Sequence, residues 1–385
     1  MKSTGYLLLL ILIIIPGGCK ESAEKVIDIN GNYKLVADSI QSLGVNDFSV
    51  YITQRGEIVN GFWRNGNSDI QCIFLAGLWI GMENNGMAQG NIVSTKAMVK
   101  SNYTSNWEGK PLGVFSLNTG NSYSAENWPV NLGAPIDNSG LPKIYGDGMC
   151  WTSLQSDTTL KNYLFMSQPV PGLRVTLAVY GYKRNDLRNV IFIKYGVTNL
   201  SAENWNNVST GFYSDTDLDD ALIDQTGYDS SRSLSFTYER QTNNVTGFTF
   251  LETPKNVSIK SHRIMRKNNY INPDFGENSF TTPEQIILAL KGLSNTGQPM
   301  INPVTGLATS FAFTGDPVLQ TGWIDTPVDV RSMISTDSFS LSPGETTWVT
   351  VVWVVTGDSS LSASLTKFKS KIDQIRSDNS LWQFY

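Results

Sequence analysis

The chain has 385 residues, 33 of them Gly, with 11% aromatic and only 16% charged side chains, and a net charge of −5. A weakly acidic balance offers nucleic-acid phosphates no basic surface, so no nucleic-acid partner is expected. The length allows a large core or two domains, and aromatic and β-branched runs separated by Gly, Asn and Asp are the composition of an all-β protein.

Residues 1–18 read as a signal peptide. Lys2 gives a positive start, Leu7 to Ile15 is an apolar run too short to span a bilayer comfortably, and Pro16-Gly17-Gly18 brings small residues up to Cys19. This resembles the lipobox of bacterial lipoproteins, although Pro16 stands where Leu is usual. The resemblance implies cleavage before Cys19, lipid on Cys19, and a membrane partner reached without a spanning helix. Residues 19–44 are then the lipidated cysteine and a tether. Lys20 replaces the Asp that retains lipoproteins at the inner membrane in some bacteria, which points to the outer membrane or cell surface.

Residues 45–358 are expected to form a large antiparallel β-sandwich, as one super-sandwich or as two packed sandwiches divided near residue 170. Phe48 to Ile52 is a short strand. Gln71 to Met82 is apolar on both faces, as a central strand is. Pro129, Pro135 and Pro142 forbid regular pairing and predict a long ordered loop. Leu173 to Tyr182, Val190 to Thr198, Val208 to Tyr213 and Leu234 to Tyr238 follow as strands. Cys72 and Cys150 either form a disulfide or lie as two buried thiols.

The stretch Tyr213 to Asp229 holds six of the chain's 34 acidic residues: Asp215, Asp217, Asp219, Asp220, Asp224 and Asp229. Such density repels itself unless a cation sits among the carboxylates. Asp215, Asp217 and Asp219 have the 1-3-5 spacing of calcium loops, but Asp220 and Thr226 stand where an EF-hand needs Gly and Glu. The six are candidate ligands of Ca²⁺; the alternative is an acidic, solvated loop.

Lys255 to Lys267 is basic and reads as a solvated strand or loop face, with an anion or partner site as the functional alternative. His262 is the sole histidine, which excludes a His-rich zinc site, and it is expected at the surface. Ser338 to Val355 reads as a strand, a Pro343-Gly344 turn and a deeply buried strand. Leu361, Leu365, Phe368, Ile372 and Ile375 then mark one face of a helix, capped by Asp358 or Ser359, within a C-terminal segment 359–385.

Phe74-Leu-Ala-Gly-Leu-Trp-Ile-Gly81 is similar to FAGGLWIGG, and Trp128-Pro through Gly133-Ala-Pro-Ile-Asp137 to WPxxxGAPxD. Ser214 to Asp229 is similar to xDPDLGDAxxDxxGCD, with Thr216 replacing Pro. Gly315-Asp-Pro317, Gly322-Trp-Ile-Asp325 and Asp329-Val-Arg331 are similar to GDPxxxxGWxD followed by DxR. Together these motifs resemble a family of large secreted, mostly unannotated proteins of Bacteroidetes/Ignavibacteria-type bacteria. The family often ends in a type-nine-secretion sorting domain, whereas Tyr385 ends this chain without one. The resemblance implies surface exposure and brings no reaction with it.

No G-x-S-x-G, P-loop or H-E-x-x-H motif is present. The favoured reading is a non-catalytic surface lipoprotein, stabilised by Ca²⁺, with a structural role or a glycan or protein partner. The second is a carbohydrate-binding or glycosidase-like protein that uses two Asp as acid and base and its 10 Trp and 15 Tyr as stacking platforms.

Overall fold

The computed structural model describes residues 35, 37–84, 86–93, 101–157, 168–266 and 282–384. The leader, Cys19 and residues 20–34 of the tether lie outside them. Two large antiparallel sheets dominate. The first runs in the order Ala37–Asp38, Val114–Asn118, Gly148–Ser156, Leu173–Gly181, Val190–Asn199, Thr346–Thr356, Val245–Glu252, Leu234–Tyr238 and Gln225–Asp229. The second runs Ile259–Arg266, Val330–Thr336, Trp205–Asp215, Ser68–Asn84, Ile58–Asn65, Phe48–Thr53 and Ile40–Leu43. Gly148–Ser156 pairs with Leu173–Gly181, and Ser68–Asn84 with Trp205–Asp215, so both sheets continue across residue 170.

Side-chain alternation explains the long apolar runs. In Thr346–Thr356, Val349, Val351, Trp353 and Val355 join the core between the sheets, while Val352 and Val354 point into a second core. Helix α2 (Leu361–Ser377) covers that second core with Leu361, Leu365, Phe368, Ile372 and Ile375. The proline-rich loop adds Trp128, Ala134 and Tyr145 beside it. The first sheet is thus covered on both faces, which is why its central strands contain few polar residues.

Two details differ from expectation. Ser360, not Asp358 or Ser359, caps α2: its hydroxyl accepts from the Ala363 N–H at 3.2 Å, while the Asp358 carboxylate is taken by the Ser359 N–H at 2.7 Å. Helix α1 (Pro283–Leu290) is a further element, started by a capping box between Thr282 and Gln285 with Pro283 in its first turn. It sits on the second sheet because Gly81 and Gly211 leave room for Leu290; a Cβ at either position would lie 2.6 or 2.7 Å from that side chain.

Cys72 and Cys150 belong to opposite sheets and are separate buried thiols. Burial pushes the Cys150 thiol up to about 12 and Cys72 higher still. Both should resist thiol reagents in the native chain and react fully once it is unfolded; rapid native labelling would contradict this burial. Phe368 is fully buried under the first sheet. Phe368→Ala should lower unfolding free energy by about 3–5 kcal/mol in denaturant titration, and a loss below about 1 kcal/mol would mean that α2 lies outside the cooperative core.

Candidate metal centre

The strand Trp205–Asp215 lies inside the second sheet, flanked by Ser68–Asn84 and Val330–Thr336. Its register sets Asp215 directly opposite Arg331. Two residues after Asp215 and two residues before Arg331, Asp217 and Asp329 approach the same point. Carboxylate oxygens of Asp215, Asp217 and Asp329 lie within 4.8 Å of one another and could hold a metal ion. Asp215 is 1% exposed, and Asp217 and Asp329 are half-buried. Arg331 binds two of the three: its Nε lies 3.0 Å from Asp215 Oδ1, and its Nη1 donates to Asp329 Oδ1 at 2.6 Å.

The loop after Asp217 wraps around a fourth acid. Asp224 is fully buried; its Oδ2 accepts from the Leu218 N–H at 3.0 Å, and its carbonyl accepts from the Val328 N–H at 3.0 Å. The second bond ties the loop to the segment carrying Asp329. Burial pushes the Asp224 carboxyl up to about 9, opposed by the Leu218 N–H and reinforced by Glu239, Asp217 and Asp329. Glu239, also buried, is raised by desolvation and by Asp219 and Asp220, against bonds from Thr242 and the Asp220 backbone. Asp224 Oδ1 and Glu239 Oε1 are buried without a hydrogen-bond partner among the described residues.

The remaining sequence candidates separate. Asp219 is exposed at φ 67°, left-handed backbone at the position where the xDPDLGDA pattern has Gly, and its N–H donates to the Gln71 carbonyl at 3.3 Å. Asp220 is exposed and accepts from the Leu222 N–H at 3.1 Å. Asp229 ends the edge strand of the first sheet and pairs with Arg232 and Lys369, each at 3.1 Å. The sheet register thus joins Asp215 and Asp217 to Asp329 and leaves Asp219, Asp220 and Asp229 outside that group. Asp329 carried a signal only through the DxR motif.

The basic stretch divides: Lys255 and Lys260 are exposed, His262 and Arg263 are buried, and Lys267 lies outside the described residues. His262 is fully buried rather than at the surface, because the 310–312 segment pairs along the edge of Ile259–Arg266 and the imidazole packs between the sheets against Tyr228 and Ser235. Its Nδ1 lies 3.0 Å from the Ala312 carbonyl and its Nε2 2.9 Å from Ser235 Oγ, and its ring stacks on Tyr228 at 4.7 Å. A carbonyl accepts, so Nδ1 carries the proton and Ser235 donates to Nε2. Burial lowers His262 to about 4. Arg263 is buried and bonds the Gly292 carbonyl at 3.3 Å, and Arg266 pairs with buried Asp325. Asp325 also accepts from the Thr226 N–H at 3.0 Å, fastening the edge of the first sheet to this region.

No protein-family model matches the chain, and no curated protein matches it. Among solved structures, a bacterial glucoamylase complexed with acarbose is 8% identical with a TM-score of 0.40, over 92% of this chain and 39% of that one. A candidate aldose 1-epimerase from Escherichia coli K12 is 9% identical with a TM-score of 0.36, over 83% of this chain and 99% of that one. The chain therefore spans well under half the length of the glucoamylase. No helix of the described residues is long and apolar enough to cross a membrane.

The buried acids and His262 set opposite pH dependences. Asp224 is protonated in the folded chain up to about 9 but ionised in the unfolded chain above its ordinary 3.8, so its contribution falls as pH rises across that window. His262 is neutral in the folded chain down to about 4 but charged in the unfolded chain below its ordinary 6.5, so its contribution is lost as pH falls from 6.5 towards 4. In chelator the two should offset below about 6.5, and stability should decline from there towards about 9. Urea unfolding across this range should show that decline, and Asp224→Asn should remove it. A metal-free stability that climbs steadily to pH 9 would contradict the assignment.

Proposed function

We propose that this chain is a non-catalytic structural or binding protein of the bacterial cell surface, anchored by lipid on Cys19 and stiffened by Ca²⁺ held between Asp215, Asp217 and Asp329. The observation that carries the reading is the convergence of these three carboxylates where two neighbouring strands of the second sheet end. Three carboxylates face one guanidinium, so one divalent cation balances the group. Calcium bonds of about 2.3–2.6 Å let opposite ligands stand up to about 5 Å apart, whereas Mg²⁺ at about 2.0–2.1 Å reaches only about 4.2 Å. Oxygens within 4.8 Å of one another admit either ion, and the forgiving all-oxygen coordination of Ca²⁺ is what favours it in this proposal. Asp224 lies outside that group of oxygens but is electrostatically coupled to Asp217 and Asp329, so a cation between them makes its ionisation more favourable.

A structural role fits the surroundings. The carboxylates come from a strand end, the loop after it and the segment leading into the neighbouring strand, so an ion among them ties three segments, two of which Arg331 already joins. The lipid anchor and the surface location rest on the leader and Cys19.

Thermal unfolding of the full chain in mild detergent, with millimolar Ca²⁺ and with chelator, tests the reading. An ion at 100 times its Kd adds about 2.7 kcal/mol, several degrees at this size. The rise should disappear in Asp217→Asn/Asp329→Asn and should grow with pH. A transition identical in Ca²⁺ and chelator would sink the proposal.

A further inference from the structure

A concavity sharing none of the metal-centre residues opens between three parts of the chain. It has a volume of about 450 Å³, within the roughly 300–1,000 Å³ range of ligand pockets. One wall is the turn from Asp229 to Ser231, the second is the 314–318 segment, and the third is a stripe of α2 formed by Ser362, Leu365, Thr366 and Lys369. That stripe has the i, i+3, i+4, i+7 spacing of one helix face.

The lining is polar without being strongly charged. Ser230, Ser231, Thr314, Ser362 and Thr366 contribute hydroxyls. Asp229 is partly buried, which raises it, but Ser231, Lys369 and Arg232 outweigh that and hold its carboxyl at about 2. Its charge is therefore matched within the wall, and Lys369 keeps N–H groups beyond the 3.1 Å contact to Asp229. Asp316 on the facing wall accepts the Val318 and Leu319 N–H groups at 2.7 and 3.0 Å. An anion would meet Asp316 and Asp229, and a cation would meet Lys369 with Arg232 behind it. A ligand bearing hydroxyls, each both donor and acceptor, matches this mixture. Leu365, Pro317 and Val318 offer aliphatic contact for its C–H faces.

The walls are fixed in advance. The Tyr228 N–H donates to the Phe313 carbonyl at 2.9 Å, the Gly315 N–H to the Trp323 carbonyl at 2.8 Å, and Arg376 of α2 to the Arg232 carbonyl at 2.6 Å. A preformed cleft loses little entropy on binding.

We propose that this groove binds a neutral, hydroxyl-rich ligand of the saccharide class, one or two rings in size. The proposal names the site for the binding role given above and rests on that role, not on the metal.

The test titrates the full chain, in a detergent without a sugar headgroup, with cellobiose, maltose, xylobiose and chitobiose. Galacturonate and inorganic phosphate serve as charged probes. Saturation-transfer NMR and calorimetry read binding. Thr366 is exposed on α2, so Thr366→Trp fills the groove and Thr366→Val removes one hydroxyl at nearly constant shape. At least one neutral sugar should bind, at least about tenfold more weakly to T366W and a few-fold more weakly to T366V. The Ca²⁺-dependent unfolding should be unchanged in both. Binding by none of the neutral sugars, binding by the charged probes alone, or binding that survives T366W would overturn the groove. If the groove fails while the Asp217/Asp329 variant still abolishes the calcium response, the metal reading stands. Sugar binding with no calcium response would leave the groove and remove the metal.

Discussion

The structure depends on one buried cross-strand ion pair. Asp215 and Arg331 face each other inside the second sheet, and each is almost wholly removed from water. Isolated, either charge would cost several kcal/mol to bury. Together they fix where the strand Trp205–Asp215 ends, where the loop to Asp224 begins, and how the 325–329 segment approaches. Arg331 also reaches Asp329, so the guanidinium orders both carboxylates that it touches. Burial beside that pair, reinforced by the neighbouring acids, is the physical origin of the raised carboxyl of Asp224.

Around that point the molecule is built in layers. Sheet packs on sheet across one core, and α2 with the proline-rich loop closes a second core on the outer face of the first sheet. Helix α1 is accommodated on the second sheet by two glycines. The layers share strands whose alternate residues point opposite ways, so a change in Val351 and a change in Val352 act on different cores.

Much of this was legible in the sequence. Leu173–Gly181, Val190–Asn199, Leu234–Tyr238 and the face of α2 were marked by period and composition, because burial on one or both faces imposes those patterns. Strand order was not, since pairs such as Thr346–Thr356 with Val190–Asn199 join distant segments by register alone. The basic neighbours of His262 suggest exposure, but a register shift between Ile259 and Ser261 breaks the alternation, so Lys260 is exposed while His262 lies against Ser235 and Tyr228 of the first sheet. Asp215 and Asp217 were found from spacing within a loop. Asp329 was not, because its place beside them is set by the pairing of two strands. Asp229 was drawn in by proximity along the chain, yet its carboxyl serves an ion pair with Lys369 on α2.

The beginning of the described chain is shared between the two sheets. Ala37–Asp38 pairs at the edge of the first, and two residues later Ile40–Leu43 pairs at the edge of the second. A mechanical pull on the N-terminal end would therefore meet two ladders in series. The two-residue ladder against Val114–Asn118 would give way first, while the longer one against Phe48–Thr53 still held the second sheet.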